Sequence, residues 1–298
     1  MAWSFTICDV FTHRPLAGNQ LAVFSQAADI PEVLLQPIAR ELNFSETVYL
    51  YPASSGGHAR MRIFTPNSEL RFAGHPIIGA AVVLGAERDE REIVLETGAG
   101  SVPVSLTPKE GRYISGRMRQ PVPTISPWRN PESLLMALGT TRSTLPVEIY
   151  DNGMVHVYVG FESRDQVRAL HPDPYDLATI ARERGMPTIG IVCFAGEGTA
   201  WKSRMFSPAA GVAEDAATGS AAGPLACHLF RFGKIEAGVE IEIRQGREIG
   251  RPSVLHTTVF GYPDRIERVE VSGGAVIVAR GEFYEDVLRP LLERLDAS

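Results

Sequence analysis

Residues 68–81 read SELRFAGHPIIGAA, and residues 214–225 read EDAATGSAAGPL. Each stretch begins with polar residues, passes through a glycine-containing turn and enters an apolar run of small residues. A helix with little polar face is a buried helix. The two stretches are therefore predicted to start two core helices, which reach about Leu84 and about Phe230. We expect these two helix starts to face each other, with a substrate between them.

The two stretches belong to a longer internal repeat. The sequence IARE at 38–41 recurs at 180–183, and RIFTP at 62–66 is echoed by RMFSP at 204–208, both 142 positions further on. Gly74 and Gly219 lie 145 positions apart, so the second copy has a longer loop. A repeat of this kind indicates a duplicated domain. The predicted fold is α+β, with strands wrapped around one central helix, built twice.

Strands predominate on both sides of each predicted central helix. In the first half they are predicted from aromatic and β-branched runs at 3–10, 20–24, 47–51, 59–65, 92–97, 101–106 and 112–118. In the second half they are predicted at 146–150, 154–161, 188–194, 200–206, 239–244, 253–260, 266–271 and 275–280. Further helices are predicted from Asp29 to about Leu42, at 174–184 and at 283–295.

The prolines of residues 120–131 suggest a boundary between the halves. Four prolines fall in this stretch, which is typical of a linker. The predicted domains are 1–119 and 130–281, with 120–129 as the linker. The segment from about 282 is expected to pack back on the first domain.

Composition excludes several classes of protein. The chain of 298 residues carries a net charge of −6 and has no basic stripe, which argues against a nucleic-acid partner. It shows neither a signal peptide nor an apolar run long enough to span a membrane, so the cytoplasm is the expected compartment. Its three cysteines, Cys8, Cys193 and Cys227, are far apart and are expected to be buried apolar residues. No metal or nucleotide motif is present.

The two glycine-containing turns suggest an anion site. Backbone N–H groups and the helix dipole favour anions at a helix N-terminus. Gly74 and Gly219 carry no side chain, so a ligand can approach the main chain closely. Each glycine precedes a polar residue, His75 or Ser220. The predicted ligand is a carboxylate, and the alternative is that both glycines only permit tight turns.

Glu46 is a candidate acid/base because the repeat does not duplicate it. The 142-residue offset places Thr188 opposite Glu46, so one half carries a carboxylate and the other does not. A single carboxylate in a desolvated cleft would have a raised pKa and could transfer protons. The alternative is a solvated turn glutamate.

Three other polar residues lie close to these stretches in sequence. Asp215 is either a cap for the second helix or an acceptor for a substrate amine or hydroxyl. His75 could exchange a proton near neutral pH. Asn19 follows Gly18 and is either a turn residue or part of the site.

The chain resembles the phenazine-biosynthesis PhzF-like isomerases, which have the diaminopimelate-epimerase-like fold. The matching motifs run in order along nearly the whole chain: DVF at 9–11, Gly18-Asn19, NFSET at 43–47, ELRFAGHP at 69–76, EDAATGS at 214–220, GPLA at 223–226 and GRPS at 250–253. The resemblance implies two pseudo-symmetric mixed β-barrels, each around a central helix. It also implies a homodimer that needs no cofactor and no metal.

The resemblance also implies roles for individual residues. The proton-shuttling glutamate falls on Glu46, and the family's histidine and aspartate fall on His75 and Asp215. Backbone contacts to the substrate carboxylate fall on Gly74 with His75 and on Gly219 with Ser220, and Asn19 matches an asparagine near the site. The expected activity is isomerisation of a small unsaturated or cyclic amino or hydroxy acid by proton transfer.

Two alternatives remain open at this point. The first is an amino-acid epimerase or racemase, but the cysteine positions of such relatives fall on Ala73 and Ala216. The second is a scaffold that binds a protein partner without turnover. Arg71 stands where the family commonly has proline, and it adds a cation close to the expected site.

Overall fold

The structure of the protein is a computed structural model, and it describes residues 2–108 and 113–288. The chain forms two compact units. Of the described residues, the first unit comprises 2–16, 20–108, 113–116 and 274–288, and the second comprises 17–19 and 117–273.

The first unit is a mixed sheet with a central helix. Its elements are β1 (Ala2–Val10), β2 (Asn19–Phe24), α1 (Glu32–Leu42), β3 (Glu46–Tyr51), β4 (Ala59–Phe64), β5 (Glu69–Leu70), α2 (Gly74–Arg88), β6 (Glu92–Thr97), β7 (Gly100–Pro108) and the first half of β8 (Tyr113–Gln120). Strand β1 pairs antiparallel with residues 275–284 of the last strand. Helix α2 is buried without interruption from Gly74 to Gly85 and contacts β1, β3, β6 and β7. It is the predicted core helix.

The second unit repeats this plan. Its elements are β9 (Thr124–Pro127), α3 (Glu132–Ala137), β10 (Glu148–Asp151), β11 (Val155–Gly160), α4 (Arg164–Arg168), α5 (Pro174–Glu183), β12 (Gly190–Glu197), β13 (Ala200–Ser207), β14 (Val212–Asp215), α6 (Gly219–Arg231), β15 (Ile241–Gln245), β16 (Ser253–Tyr262) and the first half of β17 (Arg265–Tyr284). Helix α6 is buried from Gly219 to Phe230. It is the second predicted core helix.

Strand pairing confirms the duplication. In the first unit β2 pairs parallel with β3, β3 antiparallel with β4, β4 parallel with β6 and β6 antiparallel with β7. In the second unit the same sequence of pairings joins β11, β12, β13, β15 and β16. The α+β prediction, with two copies of a mixed sheet around a central helix, is therefore confirmed.

An ion pair is repeated along with the strands. Arg62 in β4 binds both carboxylate oxygens of Glu69 in β5, at 2.7 Å each. Arg204 in β13 binds both oxygens of Glu214 in β14, at 2.9 and 2.6 Å. Bidentate arginine–carboxylate pairs fix geometry as well as charge, so each pair holds the strand that leads to a central helix.

Several element boundaries differ from the sequence predictions. Helix α1 begins at Glu32 after Pro31, without a side-chain cap from Asp29. Residues 124–127, inside the predicted linker, form β9 and pair antiparallel with β10. The two strands predicted at 266–271 and 275–280 are one strand, β17. Of the helix predicted at 283–295, residues 285–288 are helical, and residues 289–295 lie outside the described part of the chain.

Candidate active site

Glu46 and His75 come together in the first unit. Glu46 is the first residue of β3 rather than part of a turn, and His75 is the second residue of α2. Glu46 Oε2 lies 3.1 Å from His75 Nε2, with the side chains 15% and 4% exposed. The N-cap residue of α2 is Ala73, which is extended and has no polar side chain with which to cap the helix. The fold therefore places a largely buried carboxyl–imidazole pair at the start of α2.

Burial determines the protonation state of His75. It lowers the pKa of the imidazole from 6.5 to about 3, although a hydrogen bond to the backbone of Gln20 opposes the shift. A hydrogen bond that raises a histidine pKa is one in which the ring donates, so the Gln20 carbonyl is the acceptor. Burial thus favours the neutral form of His75 at pH 7, in which one ring nitrogen can donate a hydrogen bond and the other can accept one.

The neutral ring has a defined orientation of donor and acceptor. Since Nε2 faces Glu46, the hydrogen bond to Gln20 uses the other nitrogen, Nδ1. A neutral imidazole has one N–H and one lone pair. The lone pair on Nε2 therefore faces Glu46, and it can accept a hydrogen bond when Glu46 carries a proton. The arrangement suits a carboxyl group that takes up a proton and holds it.

Asp215 and Asn19 come together in the second unit. Asp215 ends β14 and is 6% exposed. Its Oδ1 accepts from Asn19 Nδ2 at 2.8 Å, and its Oδ2 accepts from the Thr218 hydroxyl at 2.6 Å. Gln245 Nε2 donates to the backbone oxygen of Asp215 and to Thr218 Oγ1, both at 2.9 Å. Asp215 thus binds the Thr218 side chain, which differs from the simple helix cap considered from the sequence.

Arg251 holds the turn that carries Asn19. Its guanidinium donates to the carbonyl oxygens of Gly18 at 2.9 Å and Ala17 at 2.8 Å. The Pro252 oxygen accepts from the Gly18 N–H at 3.2 Å. The GRPS motif at 250–253 therefore fixes the backbone just before Asn19. The motif was visible in the sequence, but this role was not.

The start of α6 is surrounded by buried polar side chains. Gln120 Nε2 donates to the Gly219 carbonyl at 2.8 Å, and Asn152 Nδ2 donates to the Ser220 carbonyl at 3.0 Å. His156 Nε2 lies 3.1 Å from Ser220 Oγ. Nothing in the sequence singled out Gln120, Asn152 or His156, because each lies in or beside an ordinary strand pattern.

The sheet register corrects one alignment of the repeat. Thr47 pairs with Phe64, and Ile191 pairs with Phe206. Since Phe64 corresponds to Phe206 in the repeat, Glu46 corresponds to Gly190 and not to Thr188. The inference that only one half carries a carboxylate at this position stands, because the second half carries a glycine. Likewise the N-cap residues are Ala73 and Thr218, so Ala216 is not the equivalent of Ala73.

The three cysteines are buried in a way that does not suit thiol chemistry. Cys8, Cys193 and Cys227 are free and buried, as expected from the sequence. Burial raises the pKa of all three thiols, which keeps them protonated and unreactive.

The described residues contain neither a candidate metal site nor a candidate membrane-spanning helix. Within residues 2–108 and 113–288, no group of three or more histidine, cysteine or acidic side chains is placed to hold a metal ion. Over the same residues, no helix combines the length and the apolar character that a membrane crossing requires.

Known proteins place this chain in a family. Residues 8–281 match the model of the phenazine biosynthesis-like proteins, PhzC-PhzF. The trans-2,3-dihydro-3-hydroxyanthranilate isomerase of Pseudomonas fluorescens is 49% identical over 278 residues, which cover 93% of this chain and 98% of that enzyme. The chain therefore belongs to the phenazine biosynthesis-like PhzC-PhzF family and is an isomerase.

Solved structures agree on the fold. The PhzF-family phenazine biosynthesis protein of Bacillus anthracis superposes with a TM-score of 0.81 at 25% identity, covering 95% of this chain and 99% of that chain. A probable proline racemase from Agrobacterium radiobacter K84 has a TM-score of 0.68 at 14% identity, covering 98% and 95%. The second likeness concerns the fold alone, and it matches the epimerase-like architecture expected from the sequence.

Proposed function

We propose that this isomerase acts on trans-2,3-dihydro-3-hydroxyanthranilate or a closely similar cyclic amino hydroxy acid, with Glu46 as the acid/base. The observation that carries the proposal is the buried pair of Glu46 and neutral His75 at the start of α2. The identity of about half of all residues with an enzyme of that name supports the choice of substrate.

Glu46 carries the proton between two carbons of the substrate. Its carboxylate removes a proton from one ring carbon, the double bonds shift, and the same group returns a proton to another carbon. Between these steps Glu46 is protonated, and the Nε2 lone pair of His75 accepts a hydrogen bond from it. Stabilising the protonated form makes Glu46 a stronger base, which is what general base catalysis requires. No atoms are gained or lost overall.

Each central-helix start offers a carboxylate site in this proposal. The backbone at Gly74 with His75, and at Gly219 with Ser220, offers N–H groups at the positive ends of two helix dipoles. Asp215 and Asn19 bind the polar substituents, with Asp215 accepting from an amine or hydroxyl. These assignments are the roles that the sequence and the family resemblance led us to expect.

A labelled substrate tests the proton shuttle. With trans-2,3-dihydro-3-hydroxyanthranilate deuterated at the carbon that bears the hydroxyl, we expect part of the label in the product, on the newly protonated carbon, by NMR or mass spectrometry. Normal turnover with all of the label lost to solvent would overturn the single shuttle. Inversion at one carbon without a shift of the double bonds would identify an epimerase instead.

We also infer that the protein is a cytoplasmic homodimer, as the resemblance to the family implies. Sedimentation equilibrium tests the assembly, and a single species at the monomer mass of 32.5 kDa would contradict it. Fractionation of cells that express the protein tests the compartment.

A further inference from the structure

His156 is a buried histidine for which the proposed proton transfer has no use. It lies in β11 and is 2% exposed. Its Nε2 contacts the Ser220 hydroxyl at 3.1 Å, whereas its Nδ1 has no hydrogen-bond partner among the described residues. Burial lowers its pKa to about 4, so the ring is neutral at pH 7. A buried imidazole with only one ring nitrogen hydrogen-bonded destabilises the fold, so we asked what the ring does in this position.

Comparing the two central-helix starts indicates what His156 does. Ser220 follows Gly219 at the start of α6 as His75 follows Gly74 at the start of α2, and Gly190 corresponds to Glu46. A side chain at Gly190 would collide with His156 Nδ1. The imidazole of His156 therefore occupies the space that a carboxylate side chain fills in the first unit. Each central helix begins with a residue paired to one buried polar side chain, but only the first pair contains an acid.

The pairing orients the Ser220 hydroxyl. If Nδ1 carried the hydrogen, a buried donor would be unpaired, and such donors are rarer than under-used acceptors. With the hydrogen on Nε2, His156 donates to Ser220 Oγ. This is the only hydrogen bond of that hydroxyl within residues 2–108 and 113–288. The hydroxyl hydrogen then remains available to a ligand at the start of α6.

We propose that His156 is a positioning residue that turns the Ser220 hydroxyl hydrogen toward the substrate carboxylate. The inference rests on the proposed function, since it assumes that the start of α6 binds this group. The Ser220 hydroxyl is then a side-chain donor in addition to the backbone N–H groups at the start of α6. Its orientation is set by His156, a residue of strand β11.

Kinetics of His156→Phe, His156→Gln and Ser220→Ala test the inference. His156→Phe keeps a planar ring but cannot donate, so we expect KM to rise about tenfold to a hundredfold, the usual worth of a hydrogen bond to a charged group. We expect kcat to stay within about threefold, because the contact is the same in ground and transition states. His156→Gln can still donate from its amide and should restore most of the KM.

Non-additivity provides the second readout. If His156 acts through Ser220, the double variant should have the KM of Ser220→Ala alone. Gly190→Ala should raise KM as well, because the new methyl group displaces the imidazole. An unchanged KM in a folded His156→Phe protein, or effects that add in the double variant, would overturn the inference.

A binding measurement separates this inference from the proposed function. If wild-type protein does not turn over the proposed substrate, the proposed function fails. Calorimetry with anthranilate as a carboxylate probe then still tests His156, with the same order of affinities expected: wild type and His156→Gln above His156→Phe. Equal anthranilate affinity in all three folded proteins would refute the positioning role.

Discussion

Replacing Glu46 by glutamine removes the proposed proton carrier and little else. The side chains have nearly the same shape, and the amide can donate to the His75 Nε2 lone pair, 3.1 Å from the present carboxylate oxygen. We therefore expect the free energy of unfolding to change by less than about 1 kcal/mol. The substitution tests chemistry rather than folding.

The loss of activity should be large because no second carboxylate occupies the equivalent position. The corresponding residue of the other half is Gly190. General acid–base catalysis contributes about a hundredfold to ten-thousandfold. We expect kcat to fall by that factor, which raises the barrier by about 2.7–5.4 kcal/mol. KM should change less, since the proposed carboxylate contacts come from backbone N–H groups and the Ser220 hydroxyl rather than from Glu46.

The assay follows conversion of trans-2,3-dihydro-3-hydroxyanthranilate by NMR at pH 7. Glu41→Gln is the matched control, because Glu41 is an exposed glutamate of α1, and it should keep wild-type kcat. A Glu46→Gln protein that unfolds like wild type and turns over within about threefold of it would refute the assignment of Glu46.

Three further outcomes follow from the structure. The free energy of unfolding should fall as pH drops below 6.5, by up to about 1.4 kcal/mol per pH unit for each histidine with a depressed pKa. The reason is that the unfolded chain binds protons at His75 and His156, whereas the folded protein keeps both rings neutral. Urea unfolding from pH 7 to 4.5 measures the change, and a stability that does not vary with pH would contradict it. Gly246→Ala should lower the free energy of unfolding by more than about 2 kcal/mol, since φ is +76° and the new methyl group meets two carbonyl oxygens. Gly139→Ala, at φ +69° with open space around it, should lower it by about 1 kcal/mol. Equal losses of stability in thermal unfolding would be inconsistent with this. Tyr158→Phe removes the 2.8 Å bond to the Ala221 carbonyl inside the second unit and should cost about 1–2 kcal/mol, with a smaller loss showing that the carbonyl finds another partner.

The sequence was most informative where a pattern was both local and repeated. The core helices α2 and α6 were predictable because their buried runs are apolar over three turns. The short helices α3 and α4 were not, because five or six residues carry too little periodicity. The two separate strands predicted at 266–271 and 275–280 lie on either side of Gly273 and Gly274. In fact a side chain at Gly274 would meet the Thr12 carbonyl and His13, so the glycine permits a close approach within a continuous strand.

The candidate site was predictable only in part. Glu46, His75, Asp215 and Asn19 were candidates from the repeat and from their neighbouring turns, and the resemblance gave them roles; the structure brings them into two pairs. The residue of the second half that corresponds to Glu46 could not be identified from the sequence. A two-residue shift of β12 relative to β13 is seen only in the strand register. His156 was missed because a histidine in the alternating run of β11 has no pattern that distinguishes it. Its partner, Ser220, lies 64 residues away along the chain.

The pairing of β1 with β17 has a consequence for synthesis on the ribosome. The register runs from Ala2 with Tyr284 to Val10 with Ala275, so β1 is paired on this edge only after the ribosome has made the residues of β17. Contacts this distant in sequence slow folding, since a long loop must close before they form. Until then β1 has an unpaired edge, which invites association with other chains. We therefore expect the nascent first unit to depend on chaperones until residue 284 has emerged, although most of its other strands are made early.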